Sequence, residues 1–265
     1  MTITKRAITF ICLFLVLSSN YVIANDNEVL SFATDPWPPY FVENESGLVE
    51  SGVGYELINE LFSLIPGVDA SFPIVPWKRA LLEVERGLKD SIALLLKNDA
   101  RARYMVFTQP VIQSPSWMYY NLQRFPNGFE WESVKDFKNL RIGIVRGYSY
   151  GEPLDSFIIK APENIFEVTT SKQLFSMLQR QHIDVVPENA SVANDIVASQ
   201  GWTKTLGHAQ KMVNTDILHI GISKKSKFVS LIPKLNEAIE TLRLSGRIDQ
   251  IIGVNGNSVN PNETP

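Results

Sequence analysis

The chain has 265 residues, enough for one large domain or for two lobes with a core each. It contains 25 basic and 28 acidic residues and a single cysteine. No basic cluster or arginine–aromatic stripe occurs in the sequence, so the composition argues against nucleic acid as a partner.

The first 24 residues form a predicted signal peptide. Lys5 and Arg6 precede an apolar core, Ala7–Leu17, and Val22–Ala24 forms a small-residue cleavage site. The core is too short to span a bilayer comfortably, which argues against a signal anchor. Cleavage after Ala24 removes the only cysteine and leaves 23 basic residues against 28 acidic residues, a net charge of −5. We therefore expect an exported protein without disulfides or a thiolate nucleophile.

The first strand of the mature chain is predicted over residues 29–34. It leads into a turn, Asp35-Pro36-Trp37-Pro38-Pro39-Tyr40, whose three prolines fix φ. This stiff turn holds Trp37 and Tyr40 at the carboxyl end of the strand. A helix over 54–65 and an edge strand over 70–75 follow.

Residues 76–110 contain the most informative pattern. Four apolar residues at helical spacing predict an amphipathic helix that Gly87 ends: Trp77, Ala80, Leu81 and Val84. Asp90 then leads into the apolar run 91–96, which has the length of a buried strand. The polar turn after this strand presents Arg101 at the edge of the sheet where ligands bind in open α/β folds.

A second series of strands and helices begins at residues 141–145. Further strands are predicted at 165–168, 183–186 and 218–222, and helices after the capping box at Thr170, around 192–197 and over 231–244. The pattern Arg180–Asp184 repeats Arg86–Asp90 at a distance of 94 residues. These alternating elements predict an α/β fold with mostly parallel sheets and two similar lobes. Residues 255–265 are polar and predicted to be disordered.

Residues 147–151 match the G-x-S-x-G pattern of a hydrolase nucleophile elbow, with Ser149 at its centre. No oxyanion-type His-Gly-Gly run precedes the pattern, and Pro153 limits where a helix can begin. A hydrolase site is therefore disfavoured. The three histidines lack metal-ligand spacing, and we expect no metal or other cofactor.

The run W-K-R-A-L…G-x-x-D…R-x-x-Y-x-V-F-T-Q-P resembles family 3 of the bacterial extracellular solute-binding proteins, which serve importers of polar amino acids. The resemblance extends from about Val29 to Gly253. It implies a two-lobed periplasmic binding protein fold of type II, with crossings between the lobes near 114–117 and 214–218. The first lobe would then comprise residues 25–114 and 217–254, and the second lobe residues 118–213.

The resemblance also implies functions for particular residues. In the family, the arginine at the position of Arg101 grips a ligand carboxylate, in keeping with the paired donors of a guanidinium. Aromatic residues at the positions of Trp37 and Trp77 form the faces of the ligand slot, and Tyr40 is a further candidate. The glycine turn around Ser149 would bind an anion at a helix start. Core packing is the alternative for the aromatic residues.

Two polar features of an amino-acid site are altered in this sequence. Relatives carry an aspartate at the place of Asn189 that pairs with the ligand ammonium, whereas here an amide follows Glu188. Relatives also carry serines where this chain has leucines at 94–96. These changes leave room for a carboxylate-bearing solute that is larger or more apolar than an α-amino acid.

We therefore predict a monomeric periplasmic protein without enzymatic activity that passes a small carboxylate-bearing solute to the permease of an ABC importer. Two alternatives remain. Cyclohexadienyl dehydratases use this fold with a carboxylic acid that protonates a leaving hydroxyl, a role open to Glu188. A sensor partner would instead report the ligand to a membrane receptor. The identity of the ligand lies beyond the sequence.

Overall fold

The computed structural model describes residues 27–253. The predicted signal peptide and the predicted disordered tail lie outside the described residues and stay predictions. Within residues 27–253, no helix has the length and apolar character needed to cross a membrane.

The described chain alternates strands and helices, as the sequence predicts. The strands are β1 Glu28–Ser31, β2 Val42–Glu43, β3 Val49–Ser51, β4 Val68–Ser71, β5 Ser91–Leu96, β6 Met105–Phe107, β7 Ile112–Asn121, β8 Ile142–Val145, β9 Ile165–Val168, β10 Val185–Asn189 and β11 Leu206–Ser223. The helices are α1 Val53–Ser63, α2 Trp77–Arg86, α3 Asp99–Ala102, α4 Leu154–Lys160, α5 Ser171–Gln179, α6 Ala190–Ser199, α7 Ile232–Leu244 and α8 Arg247–Ile252. Short 3-10 helices lie at Val134–Phe137, Pro162–Asn164 and Lys227–Leu231.

The largest sheet is mixed, with the strand order β5-β11-β7-β10-β8-β9 and β6 paired to β11. Its parallel pairs, β8 with β9 and β8 with β10, belong to strand–helix–strand units. Its antiparallel pairs all involve β7 or β11. The predicted α/β class is confirmed. The prediction of mostly parallel sheets is wrong for this sheet, in which two strand pairs are parallel and four are antiparallel, because the long connecting strands β7 and β11 run antiparallel to their neighbours.

Strands β7 and β11 join two groups of elements, which we call the first and second lobe. Strand β5 pairs with β11 at Leu218–Ile222, whereas β10 pairs with β7 at Ser116–Tyr120. The two predicted crossings lie side by side between these regions, with Ser114 opposite Asp216 and Ser116 opposite Asn214. The family resemblance predicts the two crossings. The apolar pattern predicts strands only over 117–122 and 218–222, which underestimates β7 and β11 because polar residues interrupt that pattern. The exact lobe boundaries stay a prediction.

Helices from distant parts of the chain pack together in the first lobe. Helix α1 contacts both α7 and α8, and its Leu57 and Leu61 are fully buried with Leu235 and Ile239 of α7. In the second lobe, α5 packs on β8 and β10. Each lobe thus has helices covering its own strands, as expected for an α/β fold.

The repeated helix–aspartate–strand pattern has one structural role in both lobes. Asp90, before β5, accepts the backbone N–H of Ser31 at 3.0 Å, and Asp184, before β10, accepts that of Arg141 at 2.8 Å. In each case, the aspartate joins the start of one strand to a neighbouring parallel strand.

Candidate functional site

A small cavity of about 60 Å³ lies where the two lobes face each other. Six of the seven predicted site residues line it: Trp37, Trp77, Arg101, Ser149, Glu188 and Asn189. Tyr40 does not line it. The leucines at 94–96, where relatives carry serines, also line the cavity. The wall further includes acidic and aromatic residues that the sequence did not single out: Asp35, Asp216, Phe41, Tyr148 and Tyr150.

Arg101 is buried, with 5% of its surface exposed. It lies in the short helix α3 rather than in an open turn, because the side chain of Asn98 accepts the Arg101 N–H at 2.9 Å and caps the helix. The guanidinium Nη1 donates to the carbonyl of Leu96 at 2.6 Å, and Nη2 donates to that of Gly147 at 3.4 Å. Burial lowers the pKa of Arg101 from its ordinary value. The charge is thus fixed in place by the protein itself.

Trp77 stands beside Arg101 at the start of α2, where Pro76 precedes the first turn. The guanidinium carbon of Arg101 lies 5.4 Å from the centre of the Trp77 ring, within cation–π range. The indole Nε1 of Trp77 donates to the carbonyl of Gly147 at 2.9 Å. Gly147 has φ +83°, and a Cβ there would lie 3.4 Å from the Trp77 ring. That distance is an ordinary contact, so the left-handed backbone conformation, and not a lack of space, favours glycine at this position.

A third contact between the lobes involves Asp35 and Tyr148. The Tyr148 hydroxyl donates to Asp35 Oδ2 at 2.8 Å. Asp35 follows β1 in the first lobe, and Tyr148 follows β8 in the second. With the bonds of Trp77 and Arg101 to Gly147, this contact holds the lobes together over the cavity.

Three buried carboxyl groups line the cavity: Asp35, Glu188 and Asp216, with 6%, 3% and 8% of their surfaces exposed. Burial raises the pKa of Asp35 to about 7 and that of Glu188 to about 7. Burial also raises the pKa of Asp216 above its ordinary value. The desolvation of the ionised form outweighs the hydrogen bonds that these groups accept.

Glu188 is the least satisfied of the three acids. Its Oε1 accepts the backbone N–H of Asn189 at 2.9 Å. Its Oε2 is buried without a hydrogen bond of good geometry, and the hydroxyl of Ser171, which is likewise unpaired, lies beside the carboxyl group and favours its ionised form. The sequence places Glu188 and Asn189 just past a strand, whereas both lie within β10.

Asn189 and Asp216 bind each other. The Asn189 amide Nδ2 donates to Asp216 Oδ2 at 3.0 Å, and the hydroxyl of Ser116 donates to the same oxygen at 2.5 Å. Asn189 Oδ1 accepts the backbone N–H of Ser191 at 3.0 Å and thereby caps α6. The amide of Asn189 is therefore engaged in protein contacts.

Ser149 and Tyr40 also contact the protein rather than the cavity centre. The Ser149 hydroxyl donates to Asp155 Oδ2 at 2.5 Å, and α4 begins only at Leu154. Because its partner is a carboxylate and not a histidine, the residues around Ser149 do not form a nucleophile elbow. Tyr40 is buried behind Trp37, its ring centre 4.5 Å from that of Trp37, and so it supports the slot wall.

The sequence analysis missed Asp35, Asp216 and Tyr148 as site residues. Asp35 precedes a proline, which is typical of a turn, and Asp216 stands alone on a long strand. Leu94 also lines the cavity and has a left-handed backbone, φ 54°, that is rare for a leucine. Among residues 27–253, no group of three or more histidine, cysteine or acidic side chains is arranged to hold a metal ion.

The family model of the bacterial extracellular solute-binding proteins, family 3, matches residues 30–253. The chain belongs to this family. A comparison with curated proteins gives no match. The resemblance that the sequence predicted is thereby confirmed over nearly the same range.

Solved structures share the fold of this solute-binding protein. A histidine kinase sensor domain with similarity to periplasmic binding proteins has a TM-score of 0.72 and 15% identity, covering 86% of this chain and 94% of that domain. The ABC transporter substrate-binding protein AbpA of Streptococcus pneumoniae, bound to L-arginine, has a TM-score of 0.68 and 18% identity, covering 86% and 93%. AncCDT-1, an ancestral amino-acid-binding protein and precursor of cyclohexadienyl dehydratase, has a TM-score of 0.67 and 16% identity, covering 85% and 93%. The two-lobed, type II fold is confirmed.

Proposed function

We propose that this solute-binding protein works in the periplasm and delivers a small carboxylate-bearing solute to the permease of an ABC importer, without catalysing a reaction. The observation that carries this proposal is the buried Arg101 in a cavity closed by both lobes. Membership of the family and the fold shared with a transporter protein that binds L-arginine support it.

Arg101 suits a carboxylate because part of its guanidinium is not engaged by strong contacts. Of its five N–H donors, one makes a short bond to Leu96, and the bond to Gly147 is long at 3.4 Å. A ligand carboxylate can accept two parallel hydrogen bonds from such a fork. Trp37 and Trp77 supply aromatic walls on which the body of the ligand packs.

Three of the hydrogen bonds between the lobes suggest how the ligand is enclosed. Trp77 and Arg101 bind the carbonyl of Gly147, and Asp35 accepts the hydroxyl of Tyr148. Rotation of one lobe away from the other would break all three contacts and open the cavity. Hinge closure of this kind is a common way to bind a solute between two domains.

A second candidate function is a dehydratase on the same fold. Glu188 favours it, because its carboxyl group is buried in the cavity wall and burial raises its pKa to about 7. Such a carboxylic acid can donate a proton to a leaving hydroxyl near neutral pH. A sensor role is compatible with the same binding step, and one of the structures with this fold is a sensor domain.

A thermal-shift screen of amino acids, polyamines, small peptides and organic acids tests the proposed function. A ligand that binds only the folded protein raises its stability by about 3 kcal/mol at a hundredfold excess over Kd. Calorimetric titration then measures the affinity of each hit. No stabilisation by any solute would contradict solute binding.

A separate activity assay tests whether the protein is a dehydratase. Incubation with prephenate or arogenate, followed by absorbance of an aromatic product, detects turnover directly. Product formed by the wild type and lost in Glu188→Gln would replace the transport proposal with an enzymatic one.

A further inference from the structure

The cavity beside Arg101 is too small to hold a whole solute. Its volume of about 60 Å³ is low beside the roughly 300–1,000 Å³ of typical ligand sites. One water molecule takes up about 30 Å³ in the liquid, so the cavity has room for the carboxylate end of a solute and for little of its body. The body of a solute bound at Arg101 therefore needs further space next to this cavity.

A second space between the lobes, which we call the outer pocket, adjoins the cavity at Trp37. It has a volume of about 310 Å³. The first lobe contributes the proline-rich turn at 36–38 and Glu43, and the second lobe contributes the start of α5 and part of α6. Trp37 lines both the cavity and the outer pocket, so its indole is the partition between them. Together the two spaces reach the volume of a typical small-molecule site.

Buried polar atoms without hydrogen bonds concentrate around this partition. Five buried side-chain atoms have no partner within residues 27–253. Four of them belong to residues that line one of the two spaces: Thr34 Oγ1, Trp37 Nε1, Ser171 Oγ and Glu188 Oε2. Ser171 is 7% exposed and lines the outer pocket, and its hydroxyl lies beside the carboxyl group of Glu188 in the cavity wall. Since buried polar groups are normally hydrogen-bonded, these atoms indicate where polar groups of a ligand bind.

The partition at Trp37 differs from the wall at Trp77. The indole Nε1 of Trp77 donates to the carbonyl of Gly147 at 2.9 Å, so this wall is fixed by a hydrogen bond. The main chain of Trp37 is fixed as well, because its N–H donates to the carbonyl of Phe41 at 2.9 Å. Its indole Nε1, however, is buried and has no acceptor among the described residues. A buried indole N–H usually has an acceptor, and an oxygen atom of a ligand at the partition would supply it.

The start of α5 favours acceptor groups in the outer pocket. The N–H groups in the first turn of a helix have no partner within the helix, and the side chain of Thr170 satisfies one of those in α5. Ser171 and Lys172, the first two residues of this nine-residue helix, line the outer pocket. The positive charge of Lys172 is balanced there by Glu43 and Asp195. This mixture of signs favours a neutral group with acceptor oxygens over a second charged group.

We infer that the bound solute passes Trp37 and ends in the outer pocket, and that it is a short peptide or an acylated amino acid. Its carboxylate lies at Arg101, and an amide oxygen accepts the N–H of the Trp37 indole. The remainder of the solute lies between the starts of α5 and α6 and the proline-rich turn. This inference rests on the proposed function and specifies its substrate class.

The experiment compares four solutes on the wild-type protein: N-acetyl-L-alanine, L-alanyl-L-alanine, L-alanine and pentanoate. The first two carry an amide oxygen. L-alanine is too short to reach the outer pocket, and pentanoate has the chain length of N-acetyl-L-alanine without its amide. Calorimetric titration at pH 7 gives the four affinities. We expect at least one amide compound to bind roughly tenfold more tightly than L-alanine and pentanoate, because only an amide oxygen satisfies the buried donor.

Trp37→Phe tests the hydrogen bond at the partition. It keeps an aromatic ring and removes the donor, so it should weaken binding of the amide compound roughly tenfold and leave pentanoate binding unchanged. Trp131→Phe is the matched control, because the Nε1 of Trp131 is also buried without a partner among the described residues. Trp131 lines neither space, so this variant should bind like the wild type.

Ser199→Trp tests the outer pocket itself. Ser199 is an exposed residue at the end of α6 that lines this pocket, and an indole there would fill it. Binding of the amide compounds should weaken at least tenfold, while binding of L-alanine should not change. Ala198→Trp is the matched control, because Ala198 is also exposed and does not line the pocket. This pair of exposed positions still decides if Trp37→Phe fails to fold.

The outcomes separate this inference from the proposed function. Binding of L-alanine or pentanoate as tightly as both amide compounds overturns the inference and leaves solute binding intact. An unchanged affinity for the amide compound in either Trp37→Phe or Ser199→Trp overturns it as well. No binding by any of the four solutes overturns the inference, and the proposed function then depends on the wider screen.

Discussion

The two lobes use the same local unit for support and present different side chains to the cavity. Asp90 and Asp184 each fix the start of a buried strand to its neighbour. Past that point the strands differ: β5 ends in leucines and is followed by Arg101, whereas β10 ends in Glu188 and Asn189. The repeated unit therefore determines the scaffold, and the ends of its strands determine the chemistry of the cavity.

Arg101→Ala tests the positively charged side chain that follows β5, and it should have the largest effect on ligand affinity. Truncating one partner of a buried charge pair costs about 2–5 kcal/mol, a loss of roughly thirtyfold to several-thousandfold in affinity. Arg101→Lys should restore only part of it, because an ammonium lacks the paired donors. Calorimetric titration with a carboxylate-bearing hit from the screen measures both.

The matched control for Arg101 is Arg103→Ala, an exposed arginine that directly follows α3. It should bind like the wild type. If Arg101→Ala binds as tightly as this control, Arg101 does not clamp a ligand carboxylate. Ligand-free Arg101→Ala should also lose stability, because the side chain is bonded to Leu96 and packed on Trp77.

Asp184→Asn and Asp90→Asn test whether the repeated aspartates are equivalent supports. Asp184 accepts charged donors from Arg141 and Arg124, whereas Asp90 accepts the hydroxyls of Ser31 and Ser226. We expect a loss of about 2–3 kcal/mol in the free energy of unfolding for Asp184→Asn and about 1–2 kcal/mol for Asp90→Asn. Urea unfolding measures both losses in the free energy of unfolding. A larger loss for Asp90→Asn than for Asp184→Asn would contradict this expectation.

The acid dependence of these two aspartates follows from their pKa values. Burial alone would raise the pKa of Asp184, but the bonds from Arg141 and Arg124 hold it below its ordinary value. The bonds from Ser31 and Ser226 likewise hold the pKa of Asp90 below its ordinary value despite burial. Their contribution to stability is therefore present at neutral pH and is lost as the pH falls through the folded-state pKa.

The acidic side of the cavity should have the opposite pH dependence. Asp35 and Glu188 have folded-state pKa values of about 7, so the folded protein keeps protons that the unfolded chain has released. Stability of the ligand-free protein therefore falls as the pH rises from about 5 to about 7, by about 2 kcal/mol per group. Urea unfolding from pH 5 to pH 8 measures this slope.

Variants separate the contribution of these two acids to the pH dependence of stability from the contributions of other titrating groups. Glu188→Gln and Asp35→Asn should each make the pH dependence flatter than that of the wild type, and the control Glu163→Gln, at an exposed acid of the second lobe, should not. If both variants have the same slope of stability against pH as the wild type, these acids are ionised in the empty cavity.

Tyr148→Phe tests one hydrogen bond between the lobes. Of the variants described, it should have the smallest effect. It removes the hydroxyl that donates to Asp35 and should cost about 1 kcal/mol in the free energy of unfolding. The ligand-free variant should also be more open, which a larger radius of gyration in small-angle scattering detects. Tyr55→Phe is the control, because no hydrogen bond of the Tyr55 hydroxyl occurs among the described residues. Equal radii for the two variants would mean that this bond does not hold the lobes closed.

Local sequence signals predicted the scaffold well. Strand β5 and helix α2 match their predicted ranges because a continuous apolar run and a capped amphipathic stripe are signals contained in the segment itself. Gly87 has the left-handed conformation expected of a helix cap, with φ 78°. Strands β7 and β11 were underestimated, since their length depends on pairing with each other across the chain.

The lining of the cavity was predicted where a residue belongs to a motif and missed where it depends on a distant partner. Arg101 and Trp77 lie within the W-K-R-A-L…Q-P run and line the cavity. Asp35 and Asp216 reach the same cavity from positions 181 residues apart, and neither has a local signal. The hydroxyl of Ser149 donates a hydrogen bond to the nearby Asp155, a contact that the spacing of residues in the sequence did not predict.

The antiparallel pairing of β7 and β11 has a mechanical consequence for the order of binding. Asp216 lies opposite Ser114 in the connecting ribbon, so it is close to the axis about which the lobes would turn. Points near an axis of rotation move least, whereas Asp35 and Tyr148, on opposite lobes, would separate if the lobes turned apart as proposed. An arriving solute would then find the acid at the axis already in place. The other walls of the cavity would close around it.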